Sequence, residues 1–236
     1  FFGDPTPIQR DYLVDEFSRD ACAEGFTGSV HIQVGATDGL AEAKWVQHIA
    51  EQNPKWPMAQ VVFCDLASPG LSAQLDAFEA LYTVRGVRQI IGRAPGEDAA
   101  IGTNDLLQSP AFLAGLTEIG RRGLSFDLQL IPELMAATAN ILEAAPNTRV
   151  ALCHAGSPHD RSSQGLDSWA KNLRHLSTLP QVVCKLSGLG MFDHRWTNQT
   201  IAPLIDTCLD QFGPERCMFG SNFPVDSLYS DYATLA

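Results

Sequence analysis

Seven short apolar runs, each followed by a longer amphipathic stretch, constrain this chain more than any single motif does. The runs are residues 29–34, 58–66, 84–91, 124–131, 149–154, 182–189 and 217–223. Several are nearly continuous in Val, Ile, Leu, Phe and Cys, as expected of strands covered on both faces. Between them lie helical patterns. Residues 39–52 place Leu40, Ala43, Val46 and Ala50 on one stripe, and residues 72–81 do the same with Leu75, Phe78 and Leu81. Residues 110–122 begin on a Pro and are followed by Gly123, the usual punctuation of a helix. Residues 132–145, 166–179 and 200–212 complete the set. The repeat is about 25 to 35 residues, the size of a βα unit, so the strands are predicted to run parallel. No Gly-x-Gly-x-x-Gly follows an early strand, which counts against a doubly wound open sheet. An α/β barrel of eight strands lacking its first fits the count better. No linker or composition break divides residues 1–236, so one domain is expected. The chain opens on Phe1 without a Met and closes in what reads as the first turns of a helix, so both ends are expected to be incomplete.

The bulk chemistry narrows the partners. Net charge is -11, and no basic run exceeds the pair Arg121-Arg122, so nucleic acid and anionic membrane are poor partners. A small-molecule substrate is expected, and if it is a carboxylate it needs a local cationic pocket. Six scattered cysteines include no Cys-x-x-Cys, and four of them (Cys64, Cys153, Cys184 and Cys217) fall inside predicted strands. That usage suits a reducing cytoplasm better than a disulfide framework. No apolar run approaches the ~18 residues of a membrane span. The composition permits a homo-oligomer without requiring one.

Chemistry in a parallel α/β fold belongs at the carboxyl ends of the strands, and several runs here end in polar groups. The run Val150-Ala151-Leu152-Cys153-His154 puts His154 at a strand tip before Gly156, where it could be a metal ligand, a general acid or an electrophile. If His154 points inward, strand alternation sends Cys153 out toward the helices. The plainer alternative is a satisfied core histidine. Lys185, inside Val182-Val183-Cys184-Lys185-Leu186, is expensive in an apolar strand unless it is paired or faces a polar cavity. It could hold a carboxylate or polarise a carbonyl, or form a structural ion pair with a neighbouring acid. Arg88 shares a face with Gly86 and reads as an anion clamp, with Arg93 just beyond the strand. At least one arginine among Arg85, Arg88 and Arg93 is expected to be a surface charge. Asp127 and Gln129 share a face, and Gln129, nearer the rim, is the better substrate contact. Asp127, deeper, would need a partner such as Lys185. His31 and Gln33 share another face and resemble a His-x-His pair with the second His lost.

The run Met218-Phe219-Gly220-Ser221-Asn222-Phe223-Pro224-Val225-Asp226 ends in an amide where hydrolysis would want a base. Asn222 can position water but cannot take its proton. Asp226 and Asp65 are the nearest carboxylates, and either could equally be a cap. His48, His159, His175 and His194 lie in helices or loops. The stretches His159-Asp160-Arg161 and Asp193-His194-Arg195 could close over the rim. No Gly-x-Ser-x-Gly, His-Glu-x-x-His or Walker loop is present.

In order along the chain, the segments around His31, Arg88, Gln129, His154, Lys185 and Asn222 resemble the amidohydrolase-related metal-dependent hydrolases of TIM-barrel fold. The nearest likeness is to their lactonase-like branch, which includes sugar lactonases and 2-pyrone-4,6-dicarboxylate lactonase. The resemblance implies strands two to eight of a (β/α)8 barrel, with the strand that bears the family's His-x-His pair outside the match and most of the last helix missing. It implies that His154 stands for the family's strand-six His, which would be a ligand if a divalent metal such as zinc is bound. It places Asn222 where the family carries its water-activating Asp. Members of the lactonase branch can work without metal, so the cofactor expectation is none or one zinc. The expected function is opening of the lactone of a small polar acid or sugar. His154, Lys185, Asn222 and Asp226 would be catalytic, and Arg88, Arg93, Gln129 and His31 would contact substrate. A zinc-dependent amidohydrolase or decarboxylase and a non-catalytic ligand-binding relative are the alternatives.

Overall fold

A computed structural model describes residues 3–236. Seven strands form one all-parallel sheet in sequential order: β1 (Ser29–Ile32), β2 (Met58–Phe63), β3 (Val84–Ile90), β4 (Ser125–Gln129), β5 (Val150–Leu152), β6 (Val182–Leu186) and β7 (Cys217–Phe219). Helix α1 (Val14–Ala23) precedes the sheet. The crossovers carry α2 (Gly39–Gln52), α3 (Leu71–Glu79), α4 (Pro95–Ile101) with α5 (Pro110–Arg121), α6 (Met135–Glu143), α7 (Ser163–Ser177) and α8 (Asn198–Phe212), and α9 (Tyr232–Leu235) comes last. Sequential order with crossovers of one hand puts every connecting helix on the same face. The sheet then has to curl around its other face, and the result is seven strands of a (β/α)8 barrel.

Alternation along the strands sorts the core from the barrel interior. Val87, Phe126, Leu128, Leu130, Val150, Leu152, Val182 and Cys184 are buried against the helices, where they meet Leu75, Phe78, Phe112, Leu116, Ile119, Leu142, Trp169, Leu173 and Leu204. Each of these large side chains contributes roughly 1.5–3 kcal/mol on burial. The opposite face carries Gly86, Arg88, Asp127, Gln129 and Lys185, with Arg88 and Asp127 directly paired in the β3–β4 register. No helix among the described residues is long and apolar enough to cross a membrane.

The strands stop earlier than their apolar runs. β5 ends at Leu152, β6 at Leu186 and β7 at Phe219. Beyond these points His154, Ala155, Gly188 and Asn222 take positive φ, which no strand sustains. Two helices begin before their apolar pattern does. Ser162 caps α7 by accepting from the Gly165 N–H, and Thr197 and Thr200 form a reciprocal capping box at α8. Residues 132–145 are not one helix, since a 3-10 turn at Pro132–Leu134 precedes α6.

Candidate active site

The turn after β5 sets the site. His154 and Ala155 both sit in the left-handed region, at φ 54° and 49°. For non-glycine residues this costs about 1–2 kcal/mol each, so the surroundings have to enforce it. The Ala155 carbonyl accepts a 2.7 Å hydrogen bond from Trp169 Nε1 of the buried α7 face. The left-handed turn also breaks strand alternation. Cys153 therefore does not point out to the helices, as alternation had predicted for an inward His154. Its Sγ lies 4.0 Å from Asp127 Oδ2, on the inner face.

His154 Nδ1 lies 3.0 Å from Ser187 Oγ, at the tip of β6. Burial holds its imidazole at a pKa of about 3, and the positive charges of Arg88 and Lys185 push in the same direction. The ring is neutral at neutral pH, and its response to Arg88 and Lys185 puts all three groups within one electrostatic field. Lys185 Nζ is ion-paired with Asp127 Oδ2, the partner anticipated from the sequence. The Arg88 guanidinium donates from Nη1 to the Gln33 carbonyl (3.0 Å) and from Nη2 to Gln129 Oε1.

Gly188 joins this group to the loop after β7. A Cβ on Gly188 would stand 2.4 Å from His154 Nδ1, and its φ of 63° excludes most other residues. On its other side the Gly188 backbone hydrogen-bonds Asp226. Asp226 is 1% exposed. Its Oδ1 accepts from Asn222 Nδ2 at 3.0 Å, while its Oδ2 is buried without a hydrogen-bond partner. Burial raises the Asp226 carboxyl to about pKa 6, against the opposing pull of the bonds from Asn222 and Gly188. Asn222 adopts the left-handed conformation (φ 53°) tolerated by asparagine. Its Nδ2 is engaged by the carboxylate.

One expected substrate contact, His31, turns to the helix side. His31 pairs in register with Gln60, whose side chain reaches the Ala43 carbonyl on the helix side. His31 follows it there and meets Glu42 Oε1 of α2 at 2.9 Å. Glu42 also accepts from the Val34 N–H. Burial opposes ionisation of its carboxyl, but these bonds hold it below the usual carboxylate range. Arg93 has its main chain tied to the Asn104 side chain, and its Nε is buried without a partner. Asp65 is a turn cap, accepting from the Ala67 N–H and Gln89 Nε2. The loops carrying His159 and His194 line a common cleft of about 420 Å³. Sequence reasoning missed Ser187 and Glu42. Ser187 had a signal, a hydroxyl two residues past Lys185 at a strand tip, whereas Glu42 looked like any first-turn acid.

Among the described residues no three His, Cys, Asp or Glu side chains come together in a way that could hold a metal ion. His154, flanked by a guanidinium and an ammonium, does not fit a divalent cation, because both charges repel it. The chemistry derived from these residues is therefore not routed through a metal.

Known proteins are similar to this chain in sequence and in fold. The amidohydrolase family model matches residues 8–236. An uncharacterised protein of Sinorhizobium fredii, y4mH, is 34% identical over 98% of this chain and 78% of its own length. The L-fucono-1,5-lactonase of Burkholderia multivorans is 30% identical over 97% of this chain and 77% of its own. Crystal structures of a Burkholderia multivorans amidohydrolase, one with bound HEPES and one with bound zinc, superpose with TM-scores of 0.85 and 0.83. Each is 26% identical and is matched over 98% of this chain and 80% of its own.

Proposed function

The chain belongs to the amidohydrolase family, and we propose that within it this protein is a lactonase that opens a small sugar or polar-acid lactone by attack of water. The observation that carries the reading is Asp226, a buried carboxyl near pKa 6 with one oxygen pinned by Asn222 and the other without a partner. A general base works best when its pKa lies near the operating pH. Asp226 takes a proton from water as the water oxygen bonds to the ring carbonyl carbon. In the tautomer whose Nδ1 accepts from the Ser187 hydroxyl, neutral His154 carries its proton on Nε2 and donates a hydrogen bond from it to the carbonyl oxygen as negative charge grows there. Lys185 and Arg88 stabilise the same charge through their field. The ring C–O bond then breaks, the leaving oxygen takes the proton held by Asp226, and the product is a hydroxy acid.

The cations also favour one substrate class. Lys185 is neutralised by Asp127, and the Arg88 fork is already occupied by Gln33 and Gln129. Arg88 keeps its charge, but its two terminal nitrogens are engaged, so a neutral sugar lactone, which needs no further cation to hold a carboxylate, is the better fit, in keeping with the L-fucono-1,5-lactonase relative. The test is to assay wild type, Lys185→Ala and His154→Ala against a panel of sugar lactones and pyrone dicarboxylates. Fast opening of sugar lactones, lost by about 10²-fold or more in both variants, is expected. Unchanged turnover in both variants would eliminate the mechanism.

A zinc-dependent hydrolysis is the second reading, favoured by the zinc in the Burkholderia structure. Metal analysis and chelation decide between the two. Turnover that survives chelation supports the proposal, and turnover lost to chelation and restored by zinc supports the alternative.

A further inference from the structure

The loops that follow β5 and β6 are joined by a side chain to which the chemistry above gives no part. Arg161 lies between two local fixings of its own backbone. Asp160 Oδ1 accepts from the Ser162 N–H at 2.9 Å, and Ser162 Oγ accepts from the Gly165 N–H at 3.0 Å. The residue is therefore held at the start of α7, and its side chain crosses from there to the next loop. Its Nη2 donates to the Leu189 carbonyl at 2.9 Å. Leu189 opens the 3-10 turn Leu189–Phe192, and Asp193 follows that turn. Burial disfavours the positive charge of the guanidinium, and the Asp193 carboxylate opposes that effect. One cation thus addresses both ends of the turn. Arg161 Nε is buried without a hydrogen-bond partner. Burying part of a guanidinium with an unmet donor costs free energy that a fully solvated arginine would avoid.

The turn in question seats Gly188, the residue just before it. The Met191 N–H donates to the Gly188 carbonyl at 3.2 Å and closes the turn onto it. Gly188 abuts His154 on one side and hydrogen-bonds Asp226 on the other. The turn also packs against the 3-10 turn Val225–Leu228, which contains Asp226. Little slack exists here, since a Cβ on Gly188 would already stand 2.4 Å from His154 Nδ1. Any shift of the turn is therefore passed to the imidazole, to the carboxyl, or to both.

We propose that Arg161 is a positioning residue: by gripping the turn at Leu189 it keeps Gly188 seated between His154 and Asp226, and so fixes the separation of the group that polarises the carbonyl from the group that takes the proton from water. The inference rests on the roles given to His154 and Asp226 in the lactonase reading. Arg161 reaches neither reacting group, so its effect is on geometry. Misplacing catalytic groups by about 1 Å can cost on the order of 10²-fold in rate.

The test compares Arg161→Met, which keeps an apolar stem and removes the donor, with Arg161→Lys, which keeps a charge and a donor. The bond to Leu189 comes from Nη2 alone, so a lysine can take it over. Two readouts are taken on the whole protein: kcat and KM for a sugar lactone, and backbone hydrogen exchange by mass spectrometry. Arg161→Met is expected to lose about 10²-fold in kcat with KM little changed, and Arg161→Lys to recover most of it. Exchange in the methionine variant is expected to rise within 188–193 and 222–228, while α2, α3 and α5 stay as protected as in wild type. Wild-type kcat in Arg161→Met would overturn the proposal. So would unchanged exchange at 188–193, or exchange that rises throughout the sheet, the mark of a merely structural arginine. A wild type that opens no lactone would count against the lactonase reading itself, and the grip of Arg161 on the turn would then be judged on the exchange pattern alone.

Discussion

An aspartate that is 1% exposed, with one oxygen bonded and the other bare, is costly to ionise. The folded-state pKa of Asp226, about 6, lies above the ordinary carboxyl value of 3.8. The folded chain thus binds this proton more tightly than the unfolded one. The associated stability is fully present below the unfolded pKa and is lost as pH rises through about 6. A rise of that size is worth on the order of 3 kcal/mol. Asp226→Asn is therefore expected to slow turnover by about 10²-fold or more yet raise the melting temperature above that pH, a combination that calorimetry and a lactone assay read separately. A purely structural aspartate would lose stability on the same substitution. His154 runs the other way. Its folded pKa, about 3, is depressed from 6.5, so its contribution is present above 6.5 and is lost as pH falls toward 3. His154→Gln should flatten the acid limb of the stability curve. Lys185 and Asp127 act as a pair: Lys185→Met alone strands a buried carboxylate and is expected to cost about 3–5 kcal/mol in chemical denaturation. Adding Asp127→Leu should recover most of that stability but none of the activity. At this scale the sequence was legible wherever a charge interrupted an apolar strand, as at Lys185, Arg88 and Asp127. His31 misled because its register, fixed by Gln60, turns it toward α2.

Among the elements, the strand tips carry the function and are where the apolar pattern was least reliable. Continuous hydrophobicity ran past β5, β6 and β7 because the residues beyond each strand remain buried after the ladder ends. Cys153, Ala155 and Ser187 are all buried outside any strand. No single-residue propensity announces that His154 and Ala155 will adopt positive φ, since neither is a glycine. The turn depends on Trp169 from a helix that follows it in the chain. Gly188 was the readable sign. Gly188→Ala would drive a methyl into His154 Nδ1 from a backbone angle that alanine resists. It is expected to lower both stability and kcat, while a substitution at the open Gly96 should change neither. Circular dichroism melts paired with the lactone assay would show the contrast.

For the whole molecule, alternation of strand and helix settled the class before any motif was considered, and the sequential parallel order followed from the crossover rule. The sheet's two outer strands, β1 and β7, leave Val30, Met218 and Phe219 among the exposed large apolar side chains. Phe219 is covered on one side by a stacked Phe26, 5.0 Å between ring centroids. What periodicity could not supply is the chemistry of the loop after β7. The Asn222 amide and the Asp226 carboxylate are four residues apart, and their pairing depends on the turn between them. Whether this carboxylate takes the proton from water is decided by kcat/KM for a sugar lactone as a function of pH, in wild type and in Asp226→Asn. The wild-type rate is expected to climb through a midpoint near pH 6 as the carboxyl ionises, and the variant to be slower by about 10²-fold or more with that limb gone. A variant that keeps both the rate and the limb would contradict the assignment of Asp226 as the base.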